Sequence, residues 1–356
     1  MMTMTFRLYT ITGMNKNTVG REIRYDVIRV VAMLFVIAVH VNPKPFNSFP
    51  WFKDVFDYIV YTCNGMFFML SGFFNMKKEF CTKEDYAVYY KKKFITIFLP
   101  YVLMTFVLYG YDYAMSGRTF ELGAFLGETI NQFTALNSEQ HLWFMYSLIG
   151  LVLSAPFFSK MFHAMADWEI KLLFGMSIGW NVVSIYLVND MGWNFHYGKW
   201  LMASWTIYFF LGYFHHRIIN ENNKKKWYIA GLIGFLVTVL WQYVLPFENH
   251  DADSLAPAYI LWVIAMYTFL LYEVRIVFEP VKKIISFVAK HSFTVYMIHY
   301  LVIQLIADRF YVGNSAKVGF VLTYMVCFAV SMAAAVLFDA VVALIFQKPI
   351  KKLLRI

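Results

Sequence analysis

The chain has 356 residues, of which 60% are hydrophobic and only 15% are charged, and its mean hydropathy is +0.54. Soluble globular proteins are about 45–50% apolar and about 25% charged, so this composition excludes an ordinary soluble enzyme. It also excludes a disordered chain, which requires low hydrophobicity. Three cysteines are too few for a disulfide framework. The net charge of +9 could attract nucleic acid, so the positions of the charges decide that point.

Ten apolar stretches follow one another along the chain, and each predicts a helix that crosses a membrane. A helix needs about 17–25 apolar residues to cross a bilayer, and the last stretch is longer than that. The 37 Phe, 25 Tyr and 10 Trp suit aromatic belts at two membrane interfaces. The sequence therefore predicts an all-α integral membrane protein with about ten transmembrane helices. The predicted spans are 25–42, 55–76, 94–113, 141–161, 170–188, 200–217, 227–245, 257–274, 289–307 and 318–346.

Lys and Arg are concentrated in alternate connecting segments. Of the 31 basic residues, 24 lie in the segments on one side, 6 lie on the other, and Arg29 lies in the first span. The positive-inside rule then places both termini in the cytoplasm, and the acidic segment 248–254 outside. The charge therefore reflects topology, and no nucleic-acid partner is expected. We divide the chain into a cytoplasmic segment 1–24, a membrane domain 25–346 and a basic tail 347–356, with Met14 as an alternative start.

Ionisable side chains inside the predicted spans are the first functional candidates, because a charge in hydrocarbon costs at least ~2.5–3.5 kcal/mol. Arg29 and His40 share nearly one face of the first helix, about 16 Å apart along its axis. They cannot touch each other, but both can contact one long ligand. Alternatively, Arg29 extends to the headgroups and His40 is merely interfacial. Asp26 can pair with Arg29, three residues on, either for function or for structure alone.

Other candidates lie towards the cytoplasmic ends of the second and third spans. Gly65 and Gly72 predict close helix packing. Alternatively, this small face makes room for a ligand that receives a hydrogen bond from Ser71. The lysines of the third span either anchor the topology on anionic lipid or bind the phosphates of a nucleotide-bearing donor. These lysines are Lys91, Lys92 and Lys93.

The outer half of the membrane also carries candidates. His141 and Trp143 open the fourth span at a depth similar to that of His40, although Trp143 is also typical of an interfacial anchor. In the ninth span, His299 and Tyr296 either bond to another helix or contact a ligand. At the cytoplasmic end of the sixth span, by contrast, His215 is expected among solvated headgroups. No CxxC pair and no HExxH motif is present, so no metal is expected.

Four segments carry a familiar pattern: Asp26-Val-Ile-Arg29 with His40, FFMLSGFF (67–74), KKKFITIFLPY (91–101) and HLWFMYSLIG (141–150), with weaker matches at 208–214 and 292–303. In this order, they resemble the membrane acyltransferase-3 family, which comprises bacterial integral-membrane O-acyltransferases. The resemblance extends from residue 21 to about 345. The basic segment contains only Lys where the family often has Arg, and Lys cannot bind phosphate in a bidentate manner. No SGNH-hydrolase-like domain follows, so a stand-alone form is expected.

The resemblance implies an O-acetyltransferase of the plasma (inner) membrane, in the class that transfers groups other than amino-acyl groups. Its donor would be a cytoplasmic acyl-CoA, usually acetyl-CoA, and its acceptor a hydroxyl of a cell-surface carbohydrate or lipid-linked glycan. His40 would be the general base or carry the acyl group covalently, and His141 would assist or orient. The donor-site candidates are Arg29, Asp26, Ser71, Lys92 and Lys93, and the acceptor-site candidates are Trp143, Tyr296 and His299.

Two other classes of function remain open on the residues alone. A transporter or flippase for a glycolipid would also keep ionisable groups in its membrane helices, but such folds often show inverted repeats. No convincing correspondence links the two halves of this chain. A membrane scaffold would have no use for a costly buried Arg and His. The sequence also leaves open acetyl against succinyl transfer, the acceptor, the side of transfer and the oligomeric state.

Overall fold

The computed structural model describes residues 22–41, 50–134, 140–194, 201–244, 254–311 and 315–354, and in these ranges every regular element is a helix. Single π-helical turns or runs interrupt three of the helical stretches, at Phe94–Phe98, Val182–Asp190 and Ala343–Gln347. The α-helices are α1 Ile23–His40, α2 Pro50–Val60, α3 Thr62–Met76, α4 Lys83–Lys93, α5 Leu99–Met115, α6 Leu122–Thr134, α7 Trp143–Ala164, α8 Asp167–Asn181, α9 Thr206–Ile218, α10 Lys224–Val244, α11 Pro257–Tyr272, α12 Glu279–Tyr311, α13 Ala316–Val342 and α14 Lys348–Leu354.

The predicted helical class is confirmed, and the described part of each of the ten apolar stretches is mainly helical. The second predicted span is divided into two helices, because Tyr61 separates α2 from α3. Ten crossings and cytoplasmic termini stay predictions. Residues 1–21, with the alternative start at Met14, and most of the acidic segment 248–254 lie outside the described residues. Within the described ranges, five helical runs are long and apolar enough to cross a membrane. These runs are Lys83–Met115, Trp143–Ala164, Asp167–Asp190, Lys224–Val244 and Lys317–Leu354.

The third predicted span is the apolar half of a much longer helical run. This run begins at Lys83, where Thr82 and Asp85 form a reciprocal capping box that satisfies backbone N–H groups of the first turn. The basic α4 therefore continues through the π-helical turn into α5, and the three lysines lie on its first half. Predicting spans from apolarity alone misses this extension, because α4 begins with charged residues and ends with three lysines.

Helix α1 lies in the core and carries the predicted functional stripe. Its fully buried side chains include Ile28, Met33 and Ile37. It packs most closely against α12 and α3, with further contacts to α11 and α13. Because neighbouring helices surround α1, its polar side chains face protein rather than lipid, which is where ionisable groups in membrane helices are normally found.

Helices α3 and α9 cross at two glycines. A Cβ atom added at Gly72 would lie 1.7 Å from the Phe209 carbonyl oxygen, and one added at Gly212 would lie 1.8 Å from the Met69 carbonyl oxygen. Each helix therefore rests on the backbone of the other, which only residues without a Cβ permit. The predicted packing role of Gly72 is confirmed. Gly65 is also close-packed, against the side chains of Val263 and Tyr208.

Helices α12 and α13 pack side by side and share one carboxylate. The Asp339 carboxylate lies 2.5 Å from Nδ1 of His291, and its other oxygen accepts a 2.6 Å hydrogen bond from the Thr294 hydroxyl. Because both Asp339 oxygens bond to α12, this acidic side chain holds the helix pair together. This contact positions α12, which supplies part of the site described below.

Candidate functional site

Three histidines from three helical segments lie together in the interior of the bundle. His40 ends α1, His141 precedes α7 in a single 3₁₀ turn, and His299 lies in α12. The ring centroids are 4.8 Å apart for His40 and His299, 5.5 Å for His141 and His299, and 6.4 Å for His40 and His141. The predicted similar depth of His40 and His141 is confirmed. We call these residues the histidine cluster.

Hydrogen bonds to backbone carbonyls determine which ring nitrogens carry hydrogen. Nδ1 of His40 lies 2.8 Å from the Val36 carbonyl oxygen, and Nδ1 of His299 lies 2.6 Å from that of Tyr296. A carbonyl oxygen only accepts, so both Nδ1 atoms donate. Nε2 of neutral His299 is then an acceptor, and it lies 3.3 Å from Nδ1 of His40. The same tautomer makes Nε2 of His40 its lone-pair nitrogen.

His141 has the opposite tautomer. Its Nε2 lies 3.1 Å from the Met297 carbonyl oxygen and therefore donates to it. Its Nδ1 is left as a buried acceptor, and the structure gives this nitrogen no hydrogen-bond partner. The Tyr296 hydroxyl donates to the His141 backbone carbonyl, which fixes the start of α7 against α12. The hydroxyl of Tyr296 is thus engaged with protein rather than directed into open space.

Tyr300 is a member of the cluster that the sequence reasoning missed. Its ring stacks on His141 at 4.9 Å and meets the edge of His40 at 5.7 Å. Residues 299 and 300 are about 100° apart around a helix, so a search for residues on one face selects His299 with Tyr296 and passes over Tyr300. The signal available was its position directly after a membrane histidine.

At the other end of α1, the predicted Asp26–Arg29 pair is confirmed. Nη1 of Arg29 donates to Oδ1 of Asp26 at 3.0 Å, and the Ser286 hydroxyl donates to Oδ2 at 3.0 Å. Asp26 is fully buried, whereas 28% of the Arg29 side chain is exposed. The carboxylate therefore holds the guanidinium in place from the buried side. Ser286 lies 260 residues away in the sequence, so no local pattern could reveal it.

The Arg29 guanidinium also lies over an aromatic ring at the C-terminal end of α3. Its Cζ is 4.8 Å from the centre of the Phe74 ring, and Nζ of Lys77 is 5.3 Å from the same centre. Cations over aromatic faces are attracted by the ring quadrupole. Lys77 was not among the predicted donor-site residues, yet it approaches the same ring as Arg29.

Among the other predicted donor-site residues, Lys93 is linked to α3 by the side chain of Tyr89. Its Nζ is 5.3 Å from the centre of the Tyr89 ring, and the Tyr89 hydroxyl donates to Asn75 of α3. The Lys92 side chain is exposed, and the contact described for this residue is through its carbonyl. Ser71 is half-buried, and its carbonyl accepts a 2.7 Å bond from Asn75. These contacts do not bring Lys92 or the Ser71 hydroxyl to Arg29.

Two other residues that the sequence analysis singled out, Trp143 and His215, contact other side chains of the protein. Trp143 is 38% exposed and its ring packs 5.0 Å from that of Trp205. The expectation for His215 is wrong, because the ring is buried and its Nε2 lies 2.9 Å from the Thr268 hydroxyl of α11. Its position at the end of an apolar helix gave no sign that α11 would cover it. Within the described part of the chain, no group of three or more His, Cys, Asp or Glu could hold a metal ion.

Comparison with known proteins supports one family. The model of the acyltransferase domain of the acyltransferase-3 family matches residues 22–340 of the 356, which includes every residue of the histidine cluster and the Asp26–Arg29 pair. Comparisons with curated proteins and with solved structures found no match. The family match covers most of the chain, and the chain belongs to the membrane acyltransferase-3 family.

Proposed function

We propose that this membrane acyltransferase moves an acyl group, usually acetyl, from cytoplasmic acyl-CoA to a hydroxyl of a cell-surface carbohydrate or lipid-linked glycan. The observation that carries the proposal is the arrangement on α1. A held guanidinium lies near one end of this helix, and an imidazole with a directed lone pair lies at the other. The two are about 16 Å apart along the axis, which suits a long ligand rather than a compact one.

The cations around the C-terminal end of α3 support a donor-binding site near Arg29. Arg29 and Lys77 share the Phe74 ring, and Lys93 lies beside Tyr89. Phosphate groups bind best to such cations through charge-assisted hydrogen bonds. Arg29, Lys77 and Lys93 would therefore hold the phosphates of CoA, with Lys77 added to the predicted set. The fully buried Asp26 would position Arg29 rather than touch the donor.

The tautomer of His40 supports its role as the general base of the transfer. Nε2 of His40 would take the proton of the acceptor hydroxyl as its oxygen attacks. The thioester supplies an electrophilic carbonyl carbon: a new O–C bond forms, the C–S bond breaks, and CoA leaves as the thiol. His40 would return its proton to the leaving sulfur, so the imidazole is neutral again after each cycle. Direct transfer of this kind requires one base and no covalent acyl-histidine.

His299 would act through His40. Both of its ring nitrogens are engaged, with the Tyr296 carbonyl and with Nδ1 of His40, and its side chain is fully buried. When His40 takes a proton on Nε2, its Nδ1–H stays directed at the Val36 carbonyl and at Nε2 of His299. The two acceptors thus favour the positively charged ring, as an orienting partner does in other catalytic histidine arrangements. This geometry favours a positioning role for His299 over contact with the acceptor.

The test is turnover of radiolabelled acetyl-CoA by the purified protein in proteoliposomes that are supplied with extracted cell-envelope glycans. Wild type should transfer label to glycan, and His40→Ala should lose this activity by at least about a hundredfold, the effect typical of general-base removal. His163→Ala is the matched control, because His163 lies near the cytoplasmic end of α7 among Ser159 and Tyr213. Normal turnover by folded His40→Ala would reject the assignment. Transfer from succinyl-CoA instead would change the acyl group but not the site.

A further inference from the structure

The basic segment that ends with α14 docks beside α4 through two hydrogen-bonding contacts. Nε2 of Gln347 donates to the Ile95 carbonyl oxygen at 3.2 Å, and Nζ of Lys91 lies 3.5 Å from the Leu354 carbonyl oxygen. The later residue of one segment therefore contacts the earlier residue of the other. It follows that α14 runs in the opposite direction to α4, beside its last turn and the π-helical turn that follows.

The backbone of that π-helical turn explains why Gln347 binds there. The Leu99 N–H donates to the Phe94 carbonyl, five residues back, and Pro100 has no N–H that could donate to Ile95 in the same way. The carbonyl of the buried Ile95 thus has no donor from its own helix, and the Gln347 amide supplies one. A buried carbonyl without a donor is unfavourable, so this bond fixes the basic tail against α4.

The docking brings lysines of both helices to one seam. Each of them lies at one of the two contacts or within one helical turn of it, and all except Lys91 are exposed. Lys348 and Lys352 are four residues apart, so they share a face of α14 and repel each other. In the described part of the chain, none of these lysines forms an ion pair with a carboxylate. We call the set the lysine seam, and its members are Lys91, Lys92, Lys348, Lys351 and Lys352.

Exposed apolar side chains lie next to these cations in the sequence. Phe94 and Phe98 follow the lysines of α4, and their rings stack 5.7 Å apart. Leu344 and Ile345 precede Lys348 and are also exposed. Cations beside exposed apolar side chains are typical of a surface that contacts both the headgroups and the acyl chains of a membrane. A free phosphate or a soluble nucleotide would leave these apolar side chains uncovered.

We propose that the lysine seam is a binding site for an anionic phospholipid. The lipid phosphate accepts hydrogen bonds from ammonium groups of α4 and α14, and the acyl chains lie along the neighbouring apolar side chains. A zwitterionic phospholipid would bring a cation of its own to the seam, so the site prefers a lipid with a net negative charge. Lys92 then binds lipid, whereas Lys93, whose Nζ lies over the Tyr89 ring, stays with the donor site. Lipid binding at the seam does not depend on the reaction proposed above.

The first experiment measures which phospholipid surrounds the seam. Ile345→Cys and the control Ile229→Cys carry a fluorophore on the new thiol, together with Cys81→Ser, because Cys81 is exposed while Cys63 and Cys327 are buried. The two isoleucines are matched, since both are 61% exposed and each is three residues from an exposed lysine. Each protein is reconstituted in phosphatidylcholine vesicles with a minor share of phosphatidylglycerol. The acyl chains of one lipid or of the other carry bromine, which quenches a fluorophore that it contacts.

The fluorophore at position 345 should be quenched by brominated phosphatidylglycerol several-fold more than the share of this lipid in the bilayer predicts. The fluorophore of Ile229→Cys should be quenched only in proportion to that share. Equal quenching of the two fluorophores by brominated phosphatidylglycerol would overturn the proposal. Quenching of Ile345→Cys in which brominated phosphatidylcholine is the enriched lipid would overturn it as well.

Two pairs of substitutions in the labelled Ile345→Cys protein separate the seam from a general effect of basic residues. Lys351→Gln with Lys352→Gln removes two exposed lysines of α14 and should abolish the excess quenching by phosphatidylglycerol. The control, Lys225→Gln with Lys226→Gln, removes two adjacent exposed lysines at the start of α10 and should leave the excess unchanged. An excess that survives loss of the α14 pair, or that falls equally in both variants, would contradict a site at the seam.

A second experiment distinguishes a lipid from a soluble phosphate as the ligand. The thermal unfolding midpoint of the protein in detergent is measured with phosphatidylglycerol, phosphatidylcholine, glycerol 3-phosphate or CoA. Phosphatidylglycerol should raise the midpoint, because a ligand that binds the folded state stabilises it, and Lys91→Gln with Lys92→Gln should reduce this rise. Equal rises with the two phospholipids would overturn the preference for negative charge. A rise with CoA or glycerol 3-phosphate that Lys91→Gln with Lys92→Gln also removes would overturn the lipid assignment in favour of a soluble phosphate.

Discussion

At the scale of single residues, the candidate site depends on how each imidazole is held. His40 and His299 each donate Nδ1–H to a carbonyl of their own helix, and His141 donates Nε2–H to α12. Three short backbone bonds therefore determine three tautomers. The result is two lone pairs, on His40 and His141, and one internal bond between His40 and His299. The identity of the residues alone does not carry this information.

Replacing His299 tests its role as a positioning residue. His299→Leu should lower kcat roughly ten- to a hundredfold, because Nδ1–H of His40 loses one of its two acceptors at a buried position. His299→Gln should recover part of the loss, since its amide oxygen can accept the same bond. The acceptor KM should stay nearly constant in both variants. A rise in the acceptor KM with unchanged kcat would instead indicate that His299 contacts the acceptor.

Asp26 offers a second test at the residue scale. Asp26→Asn removes the charge that holds Arg29, so the acetyl-CoA KM should rise several-fold while the acceptor KM is unchanged. Ser286→Ala removes one neutral hydrogen bond to the same carboxylate and should have a smaller effect, about 1 kcal/mol or less. Steady-state kinetics of both variants, with each substrate varied in turn, would measure these changes in KM. Equal effects of the two changes would contradict the role of the carboxylate charge.

At the scale of helices, the glycine crossing of α3 and α9 has the strictest geometry. Gly72→Ala or Gly212→Ala places a methyl group against a backbone carbonyl, which cannot rotate away, so the two helices must separate. The free energy of unfolding should fall by about 1–3 kcal/mol, the usual cost of overpacking. Gly150→Ala in α7 is the matched control, because its added Cβ meets nothing within 4 Å.

Thermal unfolding in detergent, followed by loss of the monodisperse size-exclusion peak, measures this difference. Gly150→Ala should unfold at the wild-type temperature or slightly above, since Ala is the better helix former. Wild-type stability of both Gly72→Ala and Gly212→Ala would contradict the close crossing. A loss for one glycine but not for the other would mean that the helices can slide past each other.

The helices and the Asp26–Arg29 pair could be predicted from sequence because each depends on neighbours within one helix. The spacing of Gly65 and Gly72 predicts a face for close packing, but it does not tell which helix packs there. Apolar length predicts α7 and α10, and the three-residue spacing predicts the ion pair. The contacts of Ser286 and Tyr300 depend instead on how α12 docks against α1, and one sequence does not contain that docking.

At the scale of the whole molecule, the predicted topology places the proposed donor cations and the histidine cluster towards opposite faces of the membrane. Cys81 offers a direct test, because it is the exposed cysteine and it lies in the basic segment 77–93 that the positive-inside rule assigns to the cytoplasm. An impermeant maleimide should leave Cys81 unlabelled in right-side-out vesicles and label it after permeabilisation. Labelling of intact vesicles would show that the orientation is inverted, and the histidine cluster would then lie towards the cytoplasmic side.

The central claim is that α1 joins two functions, donor binding at Arg29 and chemistry at His40. The measurement that tests it most directly is the acetyl-CoA dependence of turnover in Arg29→Ala and His40→Ala, with acetyl-CoA binding measured separately by equilibrium dialysis. The control is Arg217→Ala, which removes an Arg that lies over the Tyr213 ring.

The account predicts that Arg29→Ala weakens acetyl-CoA binding and raises its KM at least about tenfold while much of kcat remains, as loss of a charge-assisted phosphate contact would. It predicts the converse for His40→Ala, which should bind acetyl-CoA as wild type does and lose turnover. Arg217→Ala should resemble wild type in both measurements. Unchanged donor binding in folded Arg29→Ala, or unchanged turnover in folded His40→Ala, would contradict the account.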